Sequence, residues 1–379
     1  MTNLGPNVGL IDQPGSRTKL QTPALVIDLD VLERNIECMA DFARKNGIAL
    51  RPHAKTHKSV EIARRQVKAG AVGVCTATIG EAEVMVEAGI PGVLITNPAV
   101  GAGKIARVMA LCAKADDLMV VVDNVCHVEA LDAAAAKADQ TVRVVVAIDV
   151  GTMRIGARTP EAAFEAAQKI EASERLIFTG IHAYTGTYQH IESYDERRDA
   201  VAEQNTQVVR FKELLDEAGM EPLMVTGTGT GTYDIDTNFG LYTEAQVGSY
   251  IFTDVEYNAV DLVADNPRPF DPSLFVQTTV VSNSHDGAII TDGGVKRFAM
   301  GGAAPQIISG APENTVYEFK GDEHGQLLLE DAAGSLPIGT TVVCITPHCD
   351  PTVNLYDYYH VVRGDTLVDI WPVDARGAI

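Results

Sequence analysis

Short β-branched runs alternate with helical patterns along most of the first two thirds of this chain, and that alternation constrains the fold more than any other feature. The runs lie at 48–54, 72–78, 92–97, 118–123, 142–150, 178–184, 224–229 and 244–252. They are apolar on both faces, as a parallel strand covered on both sides must be. Before the first run, Leu32, Ile36, Met39 and Phe42 recur at helical spacing and Gly47 supplies a terminator; Ser59 and Gly70 frame a second helix. Eight βα units in succession predict an α/β fold closed into an eight-stranded (β/α)8 barrel of the TIM type rather than an open sheet.

Such a barrel takes about 250 residues, which leaves more than 100 of the 379 for a companion. After residue 265 the helical periodicity stops. Asn266-Pro-Arg-Pro, Asp286-Gly287 and Gly293-Gly294 punctuate alternating runs at 275–281, 288–291, 316–319, 326–329, 340–345 and 359–362. These predict a second, mainly β domain over 266–379, with the barrel over 24–265.

Fifty-one acidic against 30 basic residues leave a net charge of −21, which repels a nucleic-acid backbone and an anionic membrane surface. The expected partner is therefore a small molecule, with no nucleic acid and no membrane. No apolar stretch reaches signal-peptide or membrane-spanning length, and the six cysteines show no paired framework, so a cytoplasmic protein is expected.

In a barrel of this kind, functional groups sit at the C-terminal ends of strands, and phosphate is commonly held after strands seven and eight. The seventh run ends in Thr226-Gly-Thr-Gly-Thr-Gly-Thr232 and the eighth contains Gly248-Ser249-Tyr250. Amides freed by glycine, with several hydroxyls, can hold a phosphate without lysine or arginine; a plain Gly/Thr turn is the alternative. The first run ends in Arg51-Pro-His53-Ala-Lys55. Desolvated among other cations, Lys55 would have a lowered pKa and could form a Schiff base. An amine and an anion site on opposite rims together suit pyridoxal 5'-phosphate. The fifth run places Arg154 near the mouth, where it can pair with the cofactor's phenolate, a substrate carboxylate or only a surface acid. The sixth supplies Tyr184 and His190, one to pack on or bond to the ring and one as a base, while His182 stays unassigned. In Pro347-His-Cys-Asp350, an extended backbone would turn His348 and Asp350 the same way and Cys349 elsewhere. Histidine with carboxylate suits Mg²⁺ or Mn²⁺, histidine with cysteine suits zinc, and a turn-capping Asp beside a buried His is the alternative to both.

Taken as an ordered set, several segments carry a resemblance: Thr22-Pro-Ala-Leu-Val-Ile-Asp28, Arg51 to Lys55, Gly180 to Tyr184, Gly227 to Gly231, Glu244 to Tyr250, Asp322-Glu-His-Gly325 and Pro347 to Pro351. The chain resembles the metal-activated D-threonine aldolases, within the pyridoxal-phosphate enzymes built like alanine racemase, a group that includes D-serine dehydratase and 3-hydroxy-D-aspartate aldolase. The resemblance implies Lys55 as the Schiff-base lysine, Thr230, Gly248, Ser249 and Tyr250 around the phosphate, and His348 with Asp350 on a divalent cation. It also implies that residues 1–23 join the β domain and that the protein is a homodimer. Where these aldolases carry Gln-Lys after the second strand, this chain has Ala77-Thr78, so the resemblance implies a missing polar contact to the ring, which bears on substrate preference more than on cofactor identity. Related dehydratases carry cysteine two residues after the histidine, where Asp350 stands here.

The expected reaction is metal-assisted retro-aldol cleavage of a D-β-hydroxy-α-amino acid to glycine and an aldehyde. His190 or a metal-bound water takes the hydroxyl proton, and Lys55 is a candidate proton donor to Cα. The alternatives are β-elimination of water, as in D-serine or D-3-hydroxyaspartate dehydratases, and a non-catalytic pyridoxal-phosphate carrier.

Overall fold

The alternating runs close on themselves in the computed structural model, which describes residues 4–300, 302–331 and 334–379. After β1 (Ala24–Asp28) come eight parallel strands: β2 (Ala49–Leu50), β3 (Cys75–Thr76), β4 (Leu94–Ile95), β5 (Met119–Val122), β6 (Val142–Ala147), β7 (Leu176–Ala183), β8 (Met224–Gly227) and β9 (Glu244–Ala245). They follow one another around the sheet, with β9 beside β2. A parallel bridge between His53 and Cys75 joins the two ends and closes the barrel. The regular ladders are shorter than the apolar runs because the chain leaves them to form site loops. Beyond β2, the Arg51 and His53 amides still donate to the Ala245 and Val247 carbonyls, at 2.9 and 3.0 Å.

A buried ion pair occupies the barrel interior. Arg51 donates from Nε and Nη2 to the two carboxylate oxygens of Glu244, at 2.9 and 2.8 Å, and Thr226 Oγ1 adds a third bond to that carboxylate at 2.7 Å. The remaining guanidinium nitrogen reaches the Gly92 carbonyl. A Cβ at Gly92, where φ is +57°, would lie 2.6 Å from it, so glycine is required twice over. Removing one partner strands a charge away from water. Glu244→Ala should lower unfolding stability by about 3–5 kcal/mol, read as a shift in denaturant midpoint; an unshifted midpoint would show that the pair is dispensable.

The second domain is a mixed sheet of β1 with β10 (Leu274–His285), β11 (Ala288–Thr291), β12 (Gln306–Ser309), β13 (Val316–Phe319), β14 (Gly325–Leu328), β15 (Thr341–Ile345), β16 (Tyr358–Arg363) and β17 (Thr366–Pro372). β1 lies antiparallel to β10 and parallel to β16. Ala24–Asp28, on the barrel side of the expected boundary, is thus hydrogen-bonded into this sheet. Residues before it also reach the sheet: the Asp12 amide donates to the Leu367 carbonyl at 2.8 Å, and the Leu367 amide to Ser16 Oγ at 2.8 Å. Asp28 then caps the helix Leu29–Asn46, accepting from the Val31 amide at 3.2 Å, and Gly47 ends it at φ +66°. That helix buries Leu32, Ile36 and Met39 in a core that also contains Leu50 and Ala245 of the barrel and Leu274 and Tyr359 of the β sheet. One apolar core therefore fixes the β domain against the barrel.

Candidate active site

After β2, a single 3-10 turn, Ala54–Thr56, carries Lys55. His53 precedes the turn, and its Nδ1 accepts from the Lys55 amide at 3.4 Å. The lysine side chain meets the β domain: Nζ lies 3.3 Å from Asp350 Oδ2. The Asp350 carboxylate holds the ammonium above its ordinary pKa, against burial. This reverses the lowered value expected from the sequence, because the group facing Lys55 is an anion rather than a cation. Burial alone would raise the Asp350 carboxyl; Lys55 and His348 overcome it and draw it down to about 2.

Asp350 reaches this position by a route that differs from the one expected. His348 is extended, at φ −139°, but Cys349–Val353 is a short helix. The extended-strand argument therefore fails at Asp350, which sits in a helical first turn, with Pro351 tolerated just behind it. His348 and Asp350 still line one pocket, whereas Cys349 is fully buried, and burial holds its thiol well above the ordinary range. One imidazole nitrogen and one carboxylate suit a hard or borderline ion, whereas a thiolate beside the imidazole would suit zinc.

The glycine-rich segment forms the opposite wall. Thr228 adopts the left-handed region at φ +63°, and the chain folds back on Gln189. Gln189 Oε1 accepts from the Gly231 amide at 2.8 Å, and its Nε2 donates to Thr185 O and Thr232 Oγ1 at 2.9 and 3.1 Å. A Cβ at Gly229 would lie 2.4 Å from Gln189 Oε1, and one at Gly231 would lie 2.1 Å from the Gln189 carbonyl. Thr230 Oγ1 accepts from the Tyr250 amide at 3.1 Å, joining the two expected phosphate segments. Thr230, Gly248 and Ser249 line the pocket, and their backbone N–H groups donate to no protein acceptor among the described residues. Three N–H donors without a protein acceptor, gathered on one wall of the pocket, fit a phosphate.

Tyr250 contributes only backbone here. Its phenol accepts from Gln66 Nε2 at 3.1 Å and its ring packs on Phe270 in the core, away from the cup. On another flank of Lys55, Arg154 and Tyr184 border a hollow with Asn97, His182 and Ala77. The guanidinium stands 5.7 Å from the Tyr184 ring centroid. Its loop is gathered by Asp149, whose Oδ1 accepts from the amides of Gly151, Thr152 and Met153 at 3.2, 2.9 and 3.2 Å. His182 is buried and held down to about 4, principally by that burial, so it is neutral. Ala77 presents only a methyl group to this hollow, while Thr78 caps the helix Ile79–Glu87 through the Glu81 amide, at 3.1 Å.

His190 lies in the first hollow, its ring centroid 4.5 Å from that of Tyr257 and 6.1 Å from that of His348. Burial lowers its pKa below the ordinary value. Two participants were not anticipated from the sequence: Gln189, between two residues that were singled out, and Asp254, two residues beyond the eighth apolar run. Asp254 groups with His348 and Cys349 as the cluster closest to metal-ligand spacing among the described residues. No helix among those residues is long and apolar enough to cross a membrane.

Residues 27–255 match the alanine racemase N-terminal domain family, and residues 273–362 match a putative serine dehydratase domain. The chain is 36% identical over 370 residues to a 3-hydroxy-D-aspartate aldolase of Paracoccus denitrificans, covering 96% of this chain and 94% of the relative. It is 37% identical over 366 residues to a D-threonine aldolase of an Arthrobacter species, covering 96% and 95%. The crystal structure of a D-threonine aldolase from Filomicrobium marinum superposes with a TM-score of 0.90 at 37% identity, over 96% of this chain and 97% of the other. A D-threo-3-hydroxyaspartate dehydratase of a Delftia species is more distant, at 27% identity over 93% of this chain and 97% of the relative.

Proposed function

The chain belongs to the alanine racemase-like family that contains the 3-hydroxy-D-aspartate and D-threonine aldolases, and from that premise we propose that it cleaves D-β-hydroxy-α-amino acids reversibly to glycine and an aldehyde. The cofactors in this reading are pyridoxal 5'-phosphate and a divalent cation, Mn²⁺ or Mg²⁺, and the assembly is a homodimer.

One observation carries the reading: Asp350 of the β domain stands 3.3 Å from the Lys55 amine of the barrel. It supports a single site in which the lysine and a metal-binding arm act on the same substrate. Lys55 would hold the cofactor through its aldehyde carbon. The amides of Thr230, Gly248 and Ser249 receive the phosphate, and Arg154 pairs with the phenolate oxygen or the substrate carboxylate beside Tyr184. His348 and Asp350 hold the cation. When bound, the pyridinium system supplies an electron sink and the cation a Lewis acid for the β-hydroxyl. His190, kept neutral by burial, takes the hydroxyl proton. Lys55 would also be the amine from which Cα receives its proton.

Asp350 in place of a cysteine and the lower identity to the dehydratase both favour carbon–carbon cleavage over loss of water. A panel of D-β-hydroxy amino acids, assayed with and without Mn²⁺, should yield glycine and the matching aldehyde from the D forms alone. Ammonia and a keto acid from every active substrate would replace this reading with dehydration, and no turnover of any of them would favour a carrier.

A further inference from the structure

Asp254 lies at the centre of the cluster around His348, yet it is poorly placed to be a ligand. The side chain is fully buried. Oδ1 accepts from the Tyr257 amide at 2.9 Å, and Oδ2 accepts from the Cys349 amide at 2.9 Å and faces His348 Nδ1 at 3.1 Å. Both oxygens are committed within the protein, so the carboxylate has little left for an ion. Its effect falls on the imidazole. A carboxylate can only accept, so the hydrogen between them belongs to Nδ1, and Nε2 is the ring nitrogen left to face an ion.

The backbone supports this placement. Thr253, a β-branched residue, is held in the left-handed region at φ +46°, a conformation that persists only where its surroundings impose it. It delivers Asp254 from the end of the barrel wall to a histidine of the β domain. Through the Tyr257 amide the same carboxylate also fixes the residue whose ring lies against His190.

We propose that Asp254 is a positioning residue for metal binding: it sets the tautomer and orientation of His348 so that Nε2 faces the pocket, and through Tyr257 it sets the seat of His190. The inference rests on the metal reading given above. Outer carboxylates on ligand histidines are worth 10- to 100-fold in metal affinity where they have been removed.

The experiment is a titration of the metal-stripped holoenzyme with Mn²⁺, following free Mn²⁺ by electron paramagnetic resonance, for the wild type, Asp254→Asn and Asp254→Ser. The asparagine is nearly isosteric but has one acceptor where the carboxylate has two. The serine can still cap the Tyr257 amide, yet it is too short to reach His348. Both variants should bind Mn²⁺ about 10- to 100-fold more weakly, with cofactor absorbance retained and thermal midpoints close to the wild type. A purely structural cap would be rescued by serine, so wild-type affinity in the serine variant overturns the proposal, as does wild-type affinity in the asparagine variant. A wild-type enzyme that cleaves substrate yet binds no Mn²⁺ overturns both this inference and the metal reading beneath it.

Discussion

Lys55→Ala should reduce glycine formation by at least about 1,000-fold, as expected for a residue that both bonds to the cofactor and moves a proton. It should also abolish the cofactor–protein adduct that borohydride fixes in the wild type. The structure makes this loss hard to compensate. The neighbouring amine, Lys58, is held by Glu81 in an ion pair in which the lysine side chain is 12% exposed and the carboxylate 2%. That pair also braces the loop after β3, because the other Glu81 oxygen accepts from the Ala77 amide at 2.7 Å. Lys58 cannot swing into the pocket without breaking that ion pair and leaving the nearly buried Glu81 carboxylate without its cation. An adduct of unchanged yield in Lys55→Ala, mapped to another lysine, would show that the wrong amine had been assigned.

Removal of the divalent ion should have the second largest effect. A Lewis acid on the β-hydroxyl supplies several kcal/mol of transition-state stabilisation, and each 1.36 kcal/mol is a factor of ten, so exhaustive chelation should lower cleavage by about 1,000-fold. Visible absorbance of the cofactor should remain, since the groups proposed to hold it, Lys55 and the amides of Thr230, Gly248 and Ser249, are not those proposed to hold the ion. The 3.3 Å contact between Asp350 and Lys55 adds a consequence. Asp350 is the proposed ligand that stands beside that amine, and Asp350→Asn should be inactive at ordinary Mn²⁺ concentrations while keeping the bound cofactor. Full turnover after chelation, with no metal detected in the protein, would remove the ion from the account.

The barrel was legible in the sequence because eight doubly buried strands need eight apolar runs, and little else produces that pattern. Membership of β1 was less legible for the same reason. Ala24–Asp28 is buried on both faces, as a barrel strand would be, but it gets that burial as an inner strand between β10 and β16. Residue pattern reports burial and not the partner. β12 and β17 fell in stretches where exposed positions interrupt the alternation, as at Gln306–Ser309.

At the site, residue types were easier to find than their environments. The lysine was visible as a cation in an apolar strand, yet the sign of its pKa shift depended on Asp350, 295 positions later in the chain. Tyr250 was expected at the phosphate together with Gly248 and Ser249, its neighbours in the sequence. In the 3-10 turn Ser249–Ile251 the backbone passes the cup while the ring turns into the core. Gln189 and Asp254 carry no motif of their own. Each is recognisable only once the groups it satisfies, the Gly231 amide and the His348 ring, have been brought to it from elsewhere in the chain.

D-3-Hydroxyaspartate is a substrate that either reaction could consume, and its products test the central claim most directly. Incubated with the Mn²⁺-loaded enzyme, it should give glycine and glyoxylate in equal amounts with no ammonia. Oxaloacetate and ammonia in equal amounts, without glycine, would contradict carbon–carbon cleavage at this site.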